Sequence, residues 1–138
     1  MFVLYCSCFE GMEWEFNRNL NFEIMAKKNE VLELSFDFAL KIIDFSEVLE
    51  LKRKYVIARQ VLRSGTSIGA NIREAQCCES KADFIHKLKI SHKEAEETEY
   101  WLLLCLRADQ YPNPPEEVMN MLLSIQRLLS RIISSAKG

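Results

Sequence analysis

Punctuation is scarce in this chain. Its 138 residues include four glycines and three prolines, and all three prolines fall within 112–115. Sheets need frequent turns, so this scarcity argues against a many-stranded fold and for a few long helices. No apolar run approaches the roughly 20 residues of a membrane span. An excess of one charge is missing too: 18 Lys and Arg stand against 20 Asp and Glu, a formal net charge of −2. The five cysteines (Cys6, Cys8, Cys77, Cys78 and Cys105) include no C-x-x-C pair. Adjacent residues such as Cys77 and Cys78 point about 100° apart on a helix, which does not suit shared metal ligation. Free thiols in a reducing cytoplasm are the expectation, with no metal and no cofactor. What remains is an apolar fraction of 49% and a charged fraction of 28%, the balance of one ordinary globular domain.

Residues 1–24, MFVLYCSCFEGMEWEFNRNLNFEI, differ from the rest. They hold four acids and one base, so 17 bases and 16 acids remain without them and the formal charge moves from −2 to +1. MFVLYCSCF is apolar but lacks the basic start and small-residue cleavage site of a signal peptide. We read 1–24 as an N-terminal extension outside the fold, with Met25 the working start. The intact mass of the natively expressed protein checks this. Residues 25–138 then form the domain, with helices at about 30–52, 54–78, 81–109 and 115–135.

In the first helix, Leu32, Phe36, Leu40 and Ile43 repeat at helical spacing, and Val48 and Leu51 continue the stripe, which is expected to be buried. Lys52-Arg53-Lys54 marks its end. In the third, Ser80 is a cap with Asp83 three residues on, a variant of the capping box. Phe84, Leu88, Ser91, Ala95, Thr98, Leu102 and Cys105 follow at 4-3-4-3-4-3, a heptad seam with a small-residue middle. YPNPP at 111–115 breaks the pattern, with Asn113 the expected cap of the last helix and Pro114 in its first turn. Val118, Leu122, Ile125, Leu129 and Ile132 again step 4-3-4-3. The fold class that follows is all-α, an antiparallel up-and-down four-helix bundle.

The stretch RSGTSIGANIREAQ at 63–76 holds two of the four glycines. A phosphate-binding loop would need a strand before it and a lysine after its second glycine, and neither is present. As a helix, Val61, Gly65, Ile68, Ile72 and Ala75 match the seam spacing. Two interior glycines cost about 2 kcal/mol relative to alanine, so close packing of a bulky partner is expected, with Tyr100 and Trp101 as candidates. Ser64, Ser67, Asn71 and Glu74 form a polar stripe beside the seam. Lys87, Glu94, Glu97 and Trp101 form a similar one on the third helix. These stripes are either solvated flanks or a polar network in which Asn71 bridges two helices.

This stretch, with SKADFIHKLKISHKEAEETEYWL at 80–102, resembles a family of bacterial four-helix-bundle proteins. Its members are encoded by intervening sequences within large-subunit ribosomal RNA genes and are often described as ribosomal-protein-like. The resemblance covers about residues 30–135 and extends distantly to the accessory protein of diversity-generating retroelements. It implies an antiparallel bundle that assembles into pentameric rings, and it implies no catalytic activity. The signature falls on Arg63, Ser64, Gly65, Ser67, Gly69, Asn71, Glu74, Asp83, Phe84, Lys87, Lys93, Glu94, Glu97, Tyr100, Trp101 and Leu102. For the retroelement relative, a basic surface binding nucleic acid and reverse transcriptase is implied. The near-neutral charge here departs from that pattern.

Three functions are therefore weighed. The first is a cytoplasmic, homo-oligomeric assembly or adaptor module, not an enzyme, with no membrane and no small-molecule substrate. The second is RNA or DNA binding, with Arg59, Arg63, Arg73, Lys87, Lys89 and Lys93 as candidate contacts and Lys52, Arg53 and Lys54 as further cations. The third is a metal enzyme built on carboxylates and histidines. Bundle di-iron sites use two Glu-x-x-His motifs, whereas this chain offers only Asp83-x-x-His86, and Glu94 and Glu97 are more simply paired with Lys87 or Arg63. His86 and His92 read as surface or interface residues.

Overall fold

In the computed structural model the backbone is described for residues 18–138 and the side chains from position 26 onward, save position 28. Four helices follow in order: α1 (Arg18–Leu51), α2 (Tyr55–Ala75), α3 (Lys81–Arg107) and α4 (Glu116–Lys137). Short connections force successive helices to run antiparallel. Contacts join α1 to α2, α2 to α3, α3 to α4, and α4 back to α1, with none across either diagonal among the described residues. The result is a four-helix up-and-down bundle. Residues 1–17, most of the proposed extension, lie outside the described residues, and the helical backbone of α1 begins at Arg18, upstream of Met25.

The turn between α1 and α2 explains how the first helix stops. Arg53 adopts a left-handed backbone with φ of 59°. The amide of Arg53 donates to the carbonyl of Glu50 at 2.8 Å, and that of Lys54 to Leu49 at 2.9 Å. Those two bonds make a Schellman motif, which satisfies the last carbonyls of α1. At the start of α3, Ser80 Oγ accepts from the amide of Asp83 at 3.1 Å, so the sequence-based cap holds. The start of α4 differs from expectation. Asn113 caps nothing. Pro115 occupies the N-cap position in an extended conformation, without a side-chain cap, and its carbonyl accepts from Val118 at 3.0 Å. The cause is the Pro114-Pro115 pair: a residue before proline is pushed out of the helical region, so Pro114 cannot begin a helix. Lys54 Nζ sits 4.6 Å from the centre of the Tyr111 ring and ties the two turns at this end together.

The core is built from four seams. The seam of α3 is as expected, with Phe84, Leu88, Ser91, Ala95, Thr98, Leu102 and Cys105 all buried. The seams of α2 and α4 likewise bury the expected residues. On α1 the buried face is not the expected one. Val31, Ser35, Phe38, Ile42, Phe45 and Leu49 point inward, at 4-3-4-3-4 spacing. Phe36, Leu40, Ile43, Val48 and Leu51 are instead 54%, 48%, 40%, 41% and 83% exposed. Both stripes are apolar, and only the inward one keeps the 4-3 step that matches the other three helices.

Candidate interaction faces of the bundle

The two glycines of α2 face α1. A Cβ at Gly65 would lie 2.8 Å from Cγ2 of Ile42, and one at Gly69 would lie 3.4 Å from Ser35 Oγ and the Ser35 carbonyl. Gly65 therefore lets Ile42 of α1 approach closely, while Gly69 meets Ser35 at ordinary contact distance. The expectation that Tyr100 or Trp101 covers them is wrong: those residues sit on α3, with Tyr100 57% exposed and its ring edge-on to Trp101 at 5.1 Å. The glycine side of α2 is turned away from them.

Beside the seam, the polar groups of α2 close on their own helix. Ser64 Oγ donates to the Gln60 carbonyl at 2.9 Å, and Ser67 Oγ to Arg63 at 2.6 Å. Asn71 Nδ2 donates to the Ser67 carbonyl at 2.8 Å, so it does not bridge two helices. The carbonyl four residues back lies within reach of each of these short side chains, and no partner helix is needed. The α2–α3 polar links are others. Ser91 Oγ donates to the Ile68 carbonyl at 2.8 Å, inside the core. Lys87 Nζ meets Glu74 Oε2 at 2.8 Å. That hydrogen bond and charge hold the Lys87 amine above its ordinary range.

Glu94 and Glu97 do not pair with Lys87 or Arg63. Glu97 Oε1 accepts from the Trp101 indole at 3.3 Å. Glu94 Oε2 is buried and has no hydrogen-bond partner, an unusual cost for a carboxylate. Sequence reasoning also missed the α3–α4 edge. There the buried Gln126 donates through Nε2 to Glu96 Oε1 at 3.1 Å and to Glu99 Oε2 at 2.8 Å. Nearby, His92 Nε2 and Ser130 Oγ are 3.0 Å apart and share a hydrogen bond. A buried glutamine in the α4 stripe at 126, opposite the acids of 96–99, was the available signal.

The remaining candidates are scattered. Phe84 is core and Asp83 lies in the first turn of α3. Arg59, Arg63 and Arg73 are exposed on α2, where Arg73 lies 6.0 Å from the centre of the Phe36 ring. Lys89 and Lys93 are exposed on α3, and Lys87 is occupied by Glu74. The cation set thus divides between two helices. His86 is exposed and His92 half-buried. Among the described residues no group of three or more His, Cys, Asp or Glu is placed to hold a metal ion. None of the described helices is long and apolar enough to cross a membrane. A shallow groove of about 620 Å³ between α1 and α4 is lined by Glu30, Leu34, Glu116, Glu117 and Met121, among others. Lys41 Nζ neutralises Glu117 there at 3.1 Å.

A crystal structure from Bacteroides thetaiotaomicron VPI-5482, of a protein with unknown function from the S23 ribosomal protein family, superposes with a TM-score of 0.74. It is 46% identical, and the alignment covers 78% of this chain and 98% of that one. Among functionally curated proteins none gives a significant match. The family model for the 23S rRNA-intervening sequence protein matches residues 27–134, which takes in all of α2 and α3 and most of the other two helices. The chain belongs to the 23S rRNA-intervening sequence protein family.

Proposed function

We propose that this protein is a non-enzymatic, cytoplasmic assembly or adaptor module that works as a homo-oligomer, a pentameric ring by the family resemblance. The observation that carries the reading is the outer stripe of α1. Phe36, Leu40 and Ile43 are large, apolar and 40% to 54% exposed, although the bundle is already closed. A continuous apolar stripe on a folded surface marks an interaction site more often than a solvated flank. Light scattering coupled to gel filtration tests the reading. A mass several times the 16.1 kDa protomer is expected at micromolar concentration. A strict monomer overturns it.

A second reading, RNA or DNA binding as an accessory to ribosomal RNA or a reverse transcriptase, is favoured by Arg59 and Arg63. Both are exposed, and neither is in an ion pair among the described residues. Phosphate contacts of this kind weaken steeply with salt. Failure to shift structured RNA in a gel at low salt removes this reading.

A further inference from the structure

Two outer grooves of the bundle fit one another. The first lies between α1 and α2. Its apolar strip is Phe36, Leu40 and Ile43, and along its α2 edge Arg59, Arg63, Thr66, Ala70 and Arg73 step at 4-3-4-3. The Arg73–Phe36 contact fixes that edge beside that strip. The second lies between α2 and α3. The Ser91–Ile68 and Lys87–Glu74 links set the register there. Helical spacing then carries the polar stripe of α3 from Glu94 through Glu97 to Trp101 and Leu104, and that of α2 from Asn71 down to Val56. Val56 is 74% exposed, Tyr100 57% and Leu104 39%. So one groove pairs exposed apolar side chains with arginines, and the other pairs them with carboxylates.

From this we infer that the occupant of the α1/α2 groove is the α2/α3 groove of a second copy of this chain, in a head-to-tail contact. The inference rests on the homo-oligomer reading and specifies its interface. Three features argue for it. Among the described residues Arg59 and Arg63 are in no ion pair, whereas Glu97 is half-exposed with the Trp101 indole on one oxygen and Glu94 holds an oxygen without a donor. A guanidinium brought in by a second copy supplies donors to that pair once Glu94 turns about its side-chain torsions. The apolar residues are of the kind that anchor interfaces, an aromatic and aliphatic centre with arginine at the rim. Symmetric pairing of the α1/α2 groove with itself would cover Phe36 and Leu40 but leave Tyr100, Val56 and Leu104 in water.

Mixing two surface variants tests the arrangement. Leu40→Asp disables the α1/α2 groove, and Tyr100→Asp the α2/α3 groove; both positions are about half exposed and outside the core. Circular dichroism and thermal melting of each confirm an intact bundle. Each variant alone is expected to be a monomer by light scattering, since a head-to-tail contact needs both grooves. Mixed in equal amounts, they should form a 1:1 dimer of twice the 16.1 kDa protomer mass that grows no further, because each supplies the groove that the other lacks. If wild-type protein is monomeric, the homo-oligomer reading fails and the inference falls with it. If wild-type protein assembles but Tyr100→Asp assembles equally well, or the two monomeric variants do not dimerise on mixing, the oligomer stands and the head-to-tail contact is overturned.

Discussion

Ile42 of α1 occupies the space that a side chain at position 65 of α2 would need. With the methyl carbon of Ile42 2.8 Å from the Cβ position of Gly65, the Ile42 side chain packs directly on the α2 backbone there. Ile42 is fully buried and β-branched, so it has little freedom to move aside. Gly65→Ala should destabilise the bundle by about 1–3 kcal/mol of overpacking, reduced by about 1 kcal/mol of helix propensity. Gly69→Ala differs. Its Cβ would meet Ser35 at 3.4 Å, an ordinary contact, so the propensity gain dominates and stability should rise by up to about 1 kcal/mol. Urea denaturation of the two variants checks the opposite signs.

A second prediction concerns Arg53. Its left-handed backbone costs a residue with a Cβ roughly 1 kcal/mol, and glycine adopts it freely. Arg53→Gly should therefore stabilise the protein by about 0.5–1 kcal/mol, because the Schellman hydrogen bonds are unchanged. A rise in the thermal midpoint is the measurement. A fall would show that the arginine side chain contributes more at this turn than its backbone costs.

The Lys87–Glu74 pair predicts a pH dependence. The folded state raises the Lys87 amine above its ordinary 10.5, with the hydrogen bond to Glu74 the main cause and its charge the next. A raised amine contributes stability that is fully present below the unfolded value and lost as pH climbs through the folded one. The denaturation difference between wild type and Lys87→Gln should thus be constant around neutrality and shrink above about pH 10.5. The pair is exposed to solvent, so added salt should also shrink it.

The thiols should separate by reactivity. Burial raises the Cys105 thiol and keeps it protonated, while Cys77 is at the surface. In native protein a thiol reagent should modify Cys77 and spare Cys105, and unfolding should expose Cys105. Peptide mapping by mass spectrometry distinguishes the sites. Labelling of Cys105 in folded protein would count against the packing at that end of α3.

Much of this fold is legible from spacing alone. Phe84 to Cys105 reads as a heptad seam and is one, because a strict 4-3 repeat admits a single inward face. The first helix misleads because it carries two apolar stripes. Hydrophobicity cannot say which of them is the core, and the drifting Leu32–Phe36–Leu40 step favoured the wrong one, while the 4-3 repeat through Phe38, Ile42 and Phe45 marked the right one. The partner of the glycines was not legible, since G-x-x-x-G records that a neighbour is close but not which neighbour. Nor was the bond from Ser91 to the Ile68 carbonyl, which depends on the relative register of α2 and α3. The family signature at 63–76 was legible, but the side chains that gave it, Ser64, Ser67 and Asn71, turned out to hydrogen-bond within their own helix.

Glu94 keeps one carboxylate oxygen buried without a donor. Natural sequences tend to make every local choice agree with the global fold, and a carboxylate oxygen buried without a donor is a conflict between packing and solvation. Glu94→Leu should relieve it and give a protomer more stable than wild type, whereas Glu94→Gln keeps a polar atom there without a partner. The α2–α3 flank is then a place of local frustration, where the fold of the isolated chain is set below the best that it could reach.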